Sequence, residues 1–289
     1  MSTQEGPYDA IVFDLDGTLF RGRTAIPGAV DAVNEIRKAV RCHFLSNNGE
    51  RRGERLTERL RGLGFAVEAR EVISSADLVL GHLAGQQCSY RVLALTSSDL
   101  ALALQEQGHR MVQDDTAEVV IVGVDRALTR DRMVQGLRAV LNGAVLIGTN
   151  EDPTYPAEDG LRPAAGAYVG FFRGMGFEPA HLCGKPNSWA ILHALSLWGI
   201  DDASRCLLIG DNLTTDIAGA ANIGADSALV LTGVSSAIDV EAAHAPPTAI
   251  LESVAELNPA RLEEIAAASG SPGGAQPAGL RNGGSRGTA

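Results

Sequence analysis

The run Ile11-Val12-Phe13-Asp14-Leu15-Asp16-Gly17-Thr18-Leu19 places two carboxylates one residue apart at the end of an apolar stretch, before a Gly-Thr turn. Two such acids repel unless a cation or a shared proton relieves them. One could attack phosphorus as a carboxylate nucleophile, provided a divalent ion screens its approach to an anionic phosphate. The other could protonate the leaving oxygen. The same run also suits a solvated strand-end turn, where Asp and Gly are common. Three further clusters offer compatible chemistry. Phe44-Leu45-Ser46-Asn47-Asn48-Gly49 ends a second apolar run in a hydroxyl and two amides, which can hold phosphoryl oxygens or simply shape a polar turn. Lys185 lies in Cys183-Gly184-Lys185-Pro186-Asn187-Ser188, in a chain whose other lysine is Lys38. An ammonium there could face both a nucleophilic carboxylate and a phosphate. Leu207-Leu208-Ile209-Gly210-Asp211-Asn212-Leu213-Thr214-Thr215-Asp216 ends another apolar run in Gly-Asp. Asp211 is placed to complete an oxygen-rich magnesium site with Asp14 and a backbone carbonyl, since magnesium takes few protein carboxylates and keeps waters. Asp216 could orient Lys185 or a water of the metal shell, or act as a helix N-terminal acid.

Positioning four such clusters at one point calls for strands that end side by side. The runs at 10–13, 42–45, 91–95, 119–122, 144–147, 206–209 and 228–231 are short and continuously apolar, as parallel strands buried on both faces are. Between them, 27–39, 131–141, 188–197 and 215–223 have helical spacing, the first with Pro27 at its opening turn. Strands alternating with helices predict an α/β fold with right-handed crossovers, and ligands of such sheets collect at the carboxyl ends of strands.

At 289 residues the chain calls for two modest domains or one domain with an insertion. A net charge of -11 excludes a broad anion-binding face, so neither a nucleic acid polymer nor an anionic membrane is expected as partner. A small phosphorylated metabolite needs only a local positive pocket. Cys42, Cys88, Cys183 and Cys206 form no Cys-x-x-Cys pair and read as small packing residues. No run is apolar for long enough to span a bilayer, and the polar N-terminus lacks the pattern of a signal peptide. A reduced, cytoplasmic protein is expected. Beyond about residue 268 the composition turns to Gly, Ser, Pro and Ala, which predicts a disordered tail.

Taken in order, the Asp14-Leu15-Asp16-Gly17-Thr18 run, Ser46, Lys185 and the Gly210-Asp211 run through Asp216 resemble the four motifs of haloacid dehalogenase-superfamily phosphatases. The resemblance spans nearly the whole chain except the tail. It implies a Rossmann-like parallel-sheet core, Asp14 as nucleophile and Asp16 as general acid and base. It further implies Ser46, Asn47 and Lys185 on the phosphoryl group, and magnesium on Asp14, the Asp16 carbonyl and Asp211.

Between Asp16 and Ser46 there is room for one helix, and between Asn48 and Lys185 for a whole α/β domain. That arrangement resembles the class IIA branch with a large α/β cap, which holds ribonucleotide monophosphatases, p-nitrophenyl phosphatases, glycerol-phosphate phosphatases and pyridoxal phosphatase. Ser46-Asn47-Asn48, Gly148-Thr149-Asn150-Glu151-Asp152-Pro153 and Leu231-Thr232-Gly233-Val234-Ser235 match it, as does the Gly184-Lys185-Pro186 run to Trp189. Where the branch commonly has Asn-Pro-Asp this chain has Asn150-Glu151-Asp152, and Pro163-Ala164-Ala165-Gly166 also departs from its pattern. The expected organisation is a discontinuous core of 1–74 and 181–267, a cap of 75–180 and a tail of 268–289. Asn150 and Asp152 are expected to meet the leaving group, and Asn48 and Asn212 to contact substrate. Capped relatives of this branch often pair, which implies a homodimer through the cap.

Rival readings fit less well. A phosphate-accepting signalling domain would collect its acids before the acceptor and would lack an insertion. A haloalkanoate dehalogenase does not normally keep the second acid at Asp16. A catalytically silent binding module would not need every chemical position filled. A dinucleotide-binding enzyme would carry Gly-x-Gly-x-x-Gly after the first strand.

Overall fold

Runs such as Ala-Ile-Val-Phe have no polar face to offer water, so they are stable only with both sides covered. The computed structural model, which describes residues 6–157 and 160–270, covers them in two parallel sheets. The larger has the strand order Ala249–Leu251, Asp226–Val230, Cys206–Gly210, Ala10–Phe13, Arg41–Ser46, Val72–Ser74, with every neighbour parallel. Ala10–Phe13 lies in its interior, and all four of its residues are buried. Alternate residues of this strand face opposite ways. Ile11 and Phe13 join Phe44, Leu207 and Ile209 under helices Ala29–Ile36, Gly53–Gly62 and Pro259–Ser269. Val12, Leu45 and Leu208 face helices Ser75–Ala84 and Ser188–Leu197.

The second sheet has the order His181–Leu182, Val145–Gly148, Val119–Val122, Arg91–Leu95, Arg110–Met111, again parallel throughout. One face packs Leu93, Leu95, Val120 and Val122 against Ala139, Val169 and Phe172 of helices Arg130–Leu141 and Ala165–Gly174. The other face contributes Val92, Ile121 and Ile147 to the same apolar cluster that holds Val12 and Leu45. The two sheets therefore share one stretch of core. His181–Leu182 pairs with Val145–Gly148, so the chain stays in the second sheet one strand beyond residue 180.

The long apolar runs became strands with ends moved by one or two residues, as at Arg41–Ser46, Val145–Gly148 and Asp226–Val230. Asp226 opens its strand because its carboxylate accepts a hydrogen bond from the Tyr8 hydroxyl at 2.7 Å. The segment expected as one helix at 215–223 instead starts as a wide π turn, Leu213–Ile217, before the α-helix Ala218–Ile223. An antiparallel hairpin, Thr154–Ala157 with Gly160–Pro163, was not expected from the pattern. Helix Pro259–Ser269 runs to the start of the expected tail, which from residue 271 lies outside the described residues.

Candidate active site

The carboxyl ends of Ala10–Phe13, Arg41–Ser46 and Cys206–Gly210 meet at the centre of the larger sheet. Asp14 follows the first of them directly, its N–H donating to the Ile209 carbonyl at 2.8 Å. The Lys185 ammonium, only 4% exposed, donates to Asp14 Oδ1 at 2.7 Å and to Asp216 Oδ1 at 2.6 Å. Oxygens of Asp14, Asp211 and Asp216 lie within 4.8 Å of one another. Asp211 Oδ2 accepts the Val234 N–H at 2.8 Å, and the Thr18 hydroxyl stands 3.4 Å from Asp14 Oδ2. The approach is so close that only glycine fits beside it. A Cβ on Gly210 would lie 2.2 Å from Asp216 Cγ, and one on Gly233 would lie 1.6 Å from Asp211 Oδ2.

Three carboxylates around one ammonium leave the cluster short of positive charge. Burial, with Asp216 adding, pushes the Asp211 carboxyl up to about 7. Burial also raises Asp14, with Lys185 opposing and Asp216 and Asp211 adding. Burial pulls Lys185 down, but the Asp14 and Asp216 carboxylates outweigh it and hold the ammonium above its ordinary range. The buried oxygen donors of Asp14 and Asp211 suit a small, hard divalent cation, and that cation would supply the missing charge. Among the described residues no other group of three acids, histidines or cysteines is close enough to do so.

Asp16 stands outside this cluster. Its side chain is 47% exposed at the mouth, 3.9 Å from Arg59 Nη1. Partial burial raises its carboxyl above the usual range, with Arg59, Arg51 and Lys185 opposing. Ser46 lies at the strand end, 3% exposed, its hydroxyl accepting the Asn48 N–H at 3.1 Å.

The amides expected to meet substrate all have hydrogen bonds within the chain. Asn47 donates to the Lys185 carbonyl at 3.0 Å and accepts the Lys185 N–H at 2.8 Å, so its side chain brackets the lysine's backbone. Asn48 Oδ1 accepts the N–H groups of Glu50 and Arg51 and shapes the turn into the next helix. Asn150, 3% exposed, donates to the Asn47 carbonyl at 2.6 Å and accepts the Asp152 N–H at 3.1 Å. Asn212 Oδ1 accepts from the N–H and hydroxyl of Thr214, capping the π turn. Asp152 does stay near the site, its carboxyl pushed up to about 6 by burial, with Asn47 and Lys185 opposing.

Two contributors had no role assigned from sequence. Thr18 approaches the Asp14 carboxylate, and the Thr232-Gly233-Val234 loop closes on the site, the Thr232 hydroxyl donating to the Gly17 carbonyl at 2.6 Å. The signal for the loop was its place directly after an apolar strand, like the other three clusters.

Residues 11–110 match the family described as haloacid dehalogenase-like hydrolase, and residues 182–257 match a second HAD-hydrolase-like family. An acid sugar phosphatase of Staphylococcus aureus is 33% identical over 256 residues, covering 86% of this chain and 98% of its own. The p-nitrophenyl phosphatase of Archaeoglobus fulgidus superposes with a TM-score of 0.82 at 30% identity, over 89% of this chain and 99% of that one. A Mycobacterium tuberculosis glycerol phosphate phosphatase solved with magnesium superposes with a TM-score of 0.79 at 33% identity, over 88% and 78% of the two chains. The same phosphatase has also been solved with calcium. With the cluster of Asp14, Lys185, Asp211 and Asp216 at the ends of parallel strands, these likenesses agree that the chain belongs to the haloacid dehalogenase-like hydrolases, in their phosphatase branch with a large α/β insertion.

Proposed function

We propose that this enzyme hydrolyses small phosphate monoesters, among them nucleoside monophosphates, sugar phosphates or glycerol phosphate, through a phosphorylated Asp14 and with magnesium. The observation that carries the reading is the buried Lys185 ammonium, bonded to Asp14 and Asp216 at 2.7 and 2.6 Å beside Asp211. Asp14, Asp211 and the Asp16 carbonyl would hold the magnesium ion. When bound, the ion supplies charge that lets a carboxylate approach an anionic phosphoryl group.

A carboxylate oxygen of Asp14 attacks phosphorus, and the bond from phosphorus to the leaving oxygen breaks as Asp16 gives that oxygen a proton. Water then attacks the phosphorus of the aspartyl phosphate, Asp16 takes a proton from it, and the bond to Asp14 breaks to release phosphate. A carboxyl that stands at the mouth with a raised pKa suits this alternation of acid and base. Lys185 holds Asp14 in place and offsets phosphoryl charge, and Asp216 keeps Lys185 aimed. The second sheet is read as a cap that limits which leaving groups reach Asp16. The acidic chain and four unpaired cysteines support a cytoplasmic enzyme acting on a diffusible metabolite. Among the described residues no helix is long and apolar enough to cross a membrane.

Asp14→Asn, assayed with p-nitrophenyl phosphate and magnesium, is expected to lose more than about a thousandfold in kcat, because an amide is not a competent nucleophile. Its melting temperature should not fall, and excess chelator should silence the wild type in the same assay. Substantial turnover by pure Asp14→Asn would sink the covalent mechanism.

A further inference from the structure

The Asp16 carboxylate, read as the acid and base of the reaction, accepts no hydrogen bond from the described residues. Its one ion-pair partner among them is Arg59, whose Nη1 stands 3.9 Å from Asp16 Oδ1. Arg59 lies in the last turn of helix Gly53–Gly62, where any cation complements the helix dipole. That position alone would let its side chain point anywhere. Instead it reaches back to the loop that follows the first strand.

The contacts there fix the guanidinium. It lies over the Phe20 ring, 3.9 Å from the centroid, and donates to the Gly22 carbonyl. Phe20 is fully buried, so its ring is a fixed platform. The Phe20 carbonyl accepts the Gly17 N–H at 2.8 Å, and that peptide follows Asp16 directly. Thr232 ties down the same loop. Its hydroxyl donates to the Gly17 carbonyl at 2.6 Å, and its carbonyl accepts from Arg21 Nε at 2.5 Å. The backbone beside Asp16 is thus held by several groups, but its side chain faces only Arg59.

A half-exposed aspartate samples several rotamers, and proton transfer works only from those within hydrogen-bond reach of the leaving oxygen. A fixed positive charge 3.9 Å away favours one direction without occupying the lone pairs. Both oxygens stay free to give a proton to the leaving group and take one from water.

We propose that Arg59 is a positioning residue for the reaction, aiming the Asp16 carboxyl at the leaving oxygen from its seat on Phe20 and Gly22. The proposal rests on the phosphatase reading above and adds a residue to it. A planar guanidinium can stack on a ring and donate sideways at once, which an ammonium cannot.

The test compares kcat/KM for p-nitrophenyl phosphate, phenyl phosphate and glycerol 3-phosphate in wild type, Arg59→Gln and Arg59→Lys. Nitrophenolate leaves as a stable anion, whereas phenolate and an alkoxide depend far more on a proton from Asp16. Arg59→Gln is expected to lose about ten- to a hundredfold on the phenyl and glycerol esters, and less than about threefold on the nitrophenyl ester. Arg59→Lys keeps the charge and should recover part of the loss. If Arg59→Gln melts below the assay temperature, Arg59→Lys carries the same comparison, with a smaller gap between the esters. An equal loss on all three esters, as a loosened fold or a damaged phosphate site would give, overturns the proposal and leaves the phosphatase reading intact. So does full activity of Arg59→Gln on every ester. If wild type hydrolyses none of the three, the phosphatase reading fails and the proposal with it.

Discussion

Two groups of polar side chains lie on either side of Asn47 and are built on opposite terms. On one side, Asp14, Asp211 and Asp216 crowd around the single Lys185 ammonium. On the other, the buried amides of the seam between the sheets are paired with the chain itself. The Asn47 carbonyl accepts from the Ser75 hydroxyl at 3.1 Å and the Asn150 amide at 2.6 Å, and Asn150 in turn accepts from Asp152. A polar network with every partner in place rigidifies a fold. A cluster of like charges weakens it, and persists where function needs the charges. The seam ties the halves together, while the cluster is left short of positive charge.

The sharpest way to break this comparison is to remove the ammonium. Lys185→Met leaves buried Asp14 and Asp216 without their partner, and should cost about 3–5 kcal/mol of stability in chelator as well as the activity. Adding Asp216→Asn should recover part of the stability. Denaturant melts of the single and double variants check this, and a single variant as stable as wild type would show that Lys185 does not hold the cluster together.

A paired experiment asks for opposite signs. Asp211→Asn removes one of three like charges and can still accept from Val234, so the metal-free variant should gain about 0.5–2 kcal/mol. Asn150→Ala orphans buried groups of the seam and should lose about 1–3 kcal/mol. Because the Asn150 amide is spent on the chain, its loss should scale every ester alike rather than change their ranking. Thermal melts in chelator that move the same way for both variants would erase the distinction between the regions.

A separate effect, confined to acid pH, comes from His43, which belongs to neither group. It is 8% exposed, stacks on Trp198 at 4.5 Å, and has both ring nitrogens without a partner. Burial pulls its pKa down to about 4, with Arg41 and Arg37 adding. The unfolded chain therefore takes up this proton near pH 6.5 and the folded one only near 4, so stability falls as pH drops across that window. The loss amounts to about 1–3 kcal/mol. His43→Phe should keep the stack and flatten that part of the acid slope, read as the change in melting temperature between pH 7 and pH 4.5. An unchanged slope would place the acid sensitivity elsewhere.

What was legible in the sequence follows the same division. Long apolar runs declared the interior strands because nothing but two-sided burial suits them. The edge strands Val72–Ser74, His181–Leu182 and Ala249–Leu251 are two or three residues long, too short to show a period. Helix Gly53–Gly62 hid because it is mostly polar and buries only Gly53, Leu56, Thr57 and Leu60. At the site, the acids and the lysine could be located because charge at a strand end has few uses. The amides could not. Asn47, Asn48, Asn150 and Asn212 can serve a ligand or a backbone equally well, and loop geometry, which the sequence does not display, decides between them.

The interior position of Ala10–Phe13 also bears on how the protein is made. The ribosome releases this strand long before one of its two neighbours, Cys206–Gly210. Asp14 waits for Lys185 across 171 residues, which at about 5–20 residues per second is roughly 10–30 s. During that interval the second sheet can be completed, while the strand bearing Asp14 has only Arg41–Ser46 beside it. A nascent chain therefore carries a bare, strongly apolar edge throughout that interval, and chaperones that shield such edges would act on the half that holds Asp14.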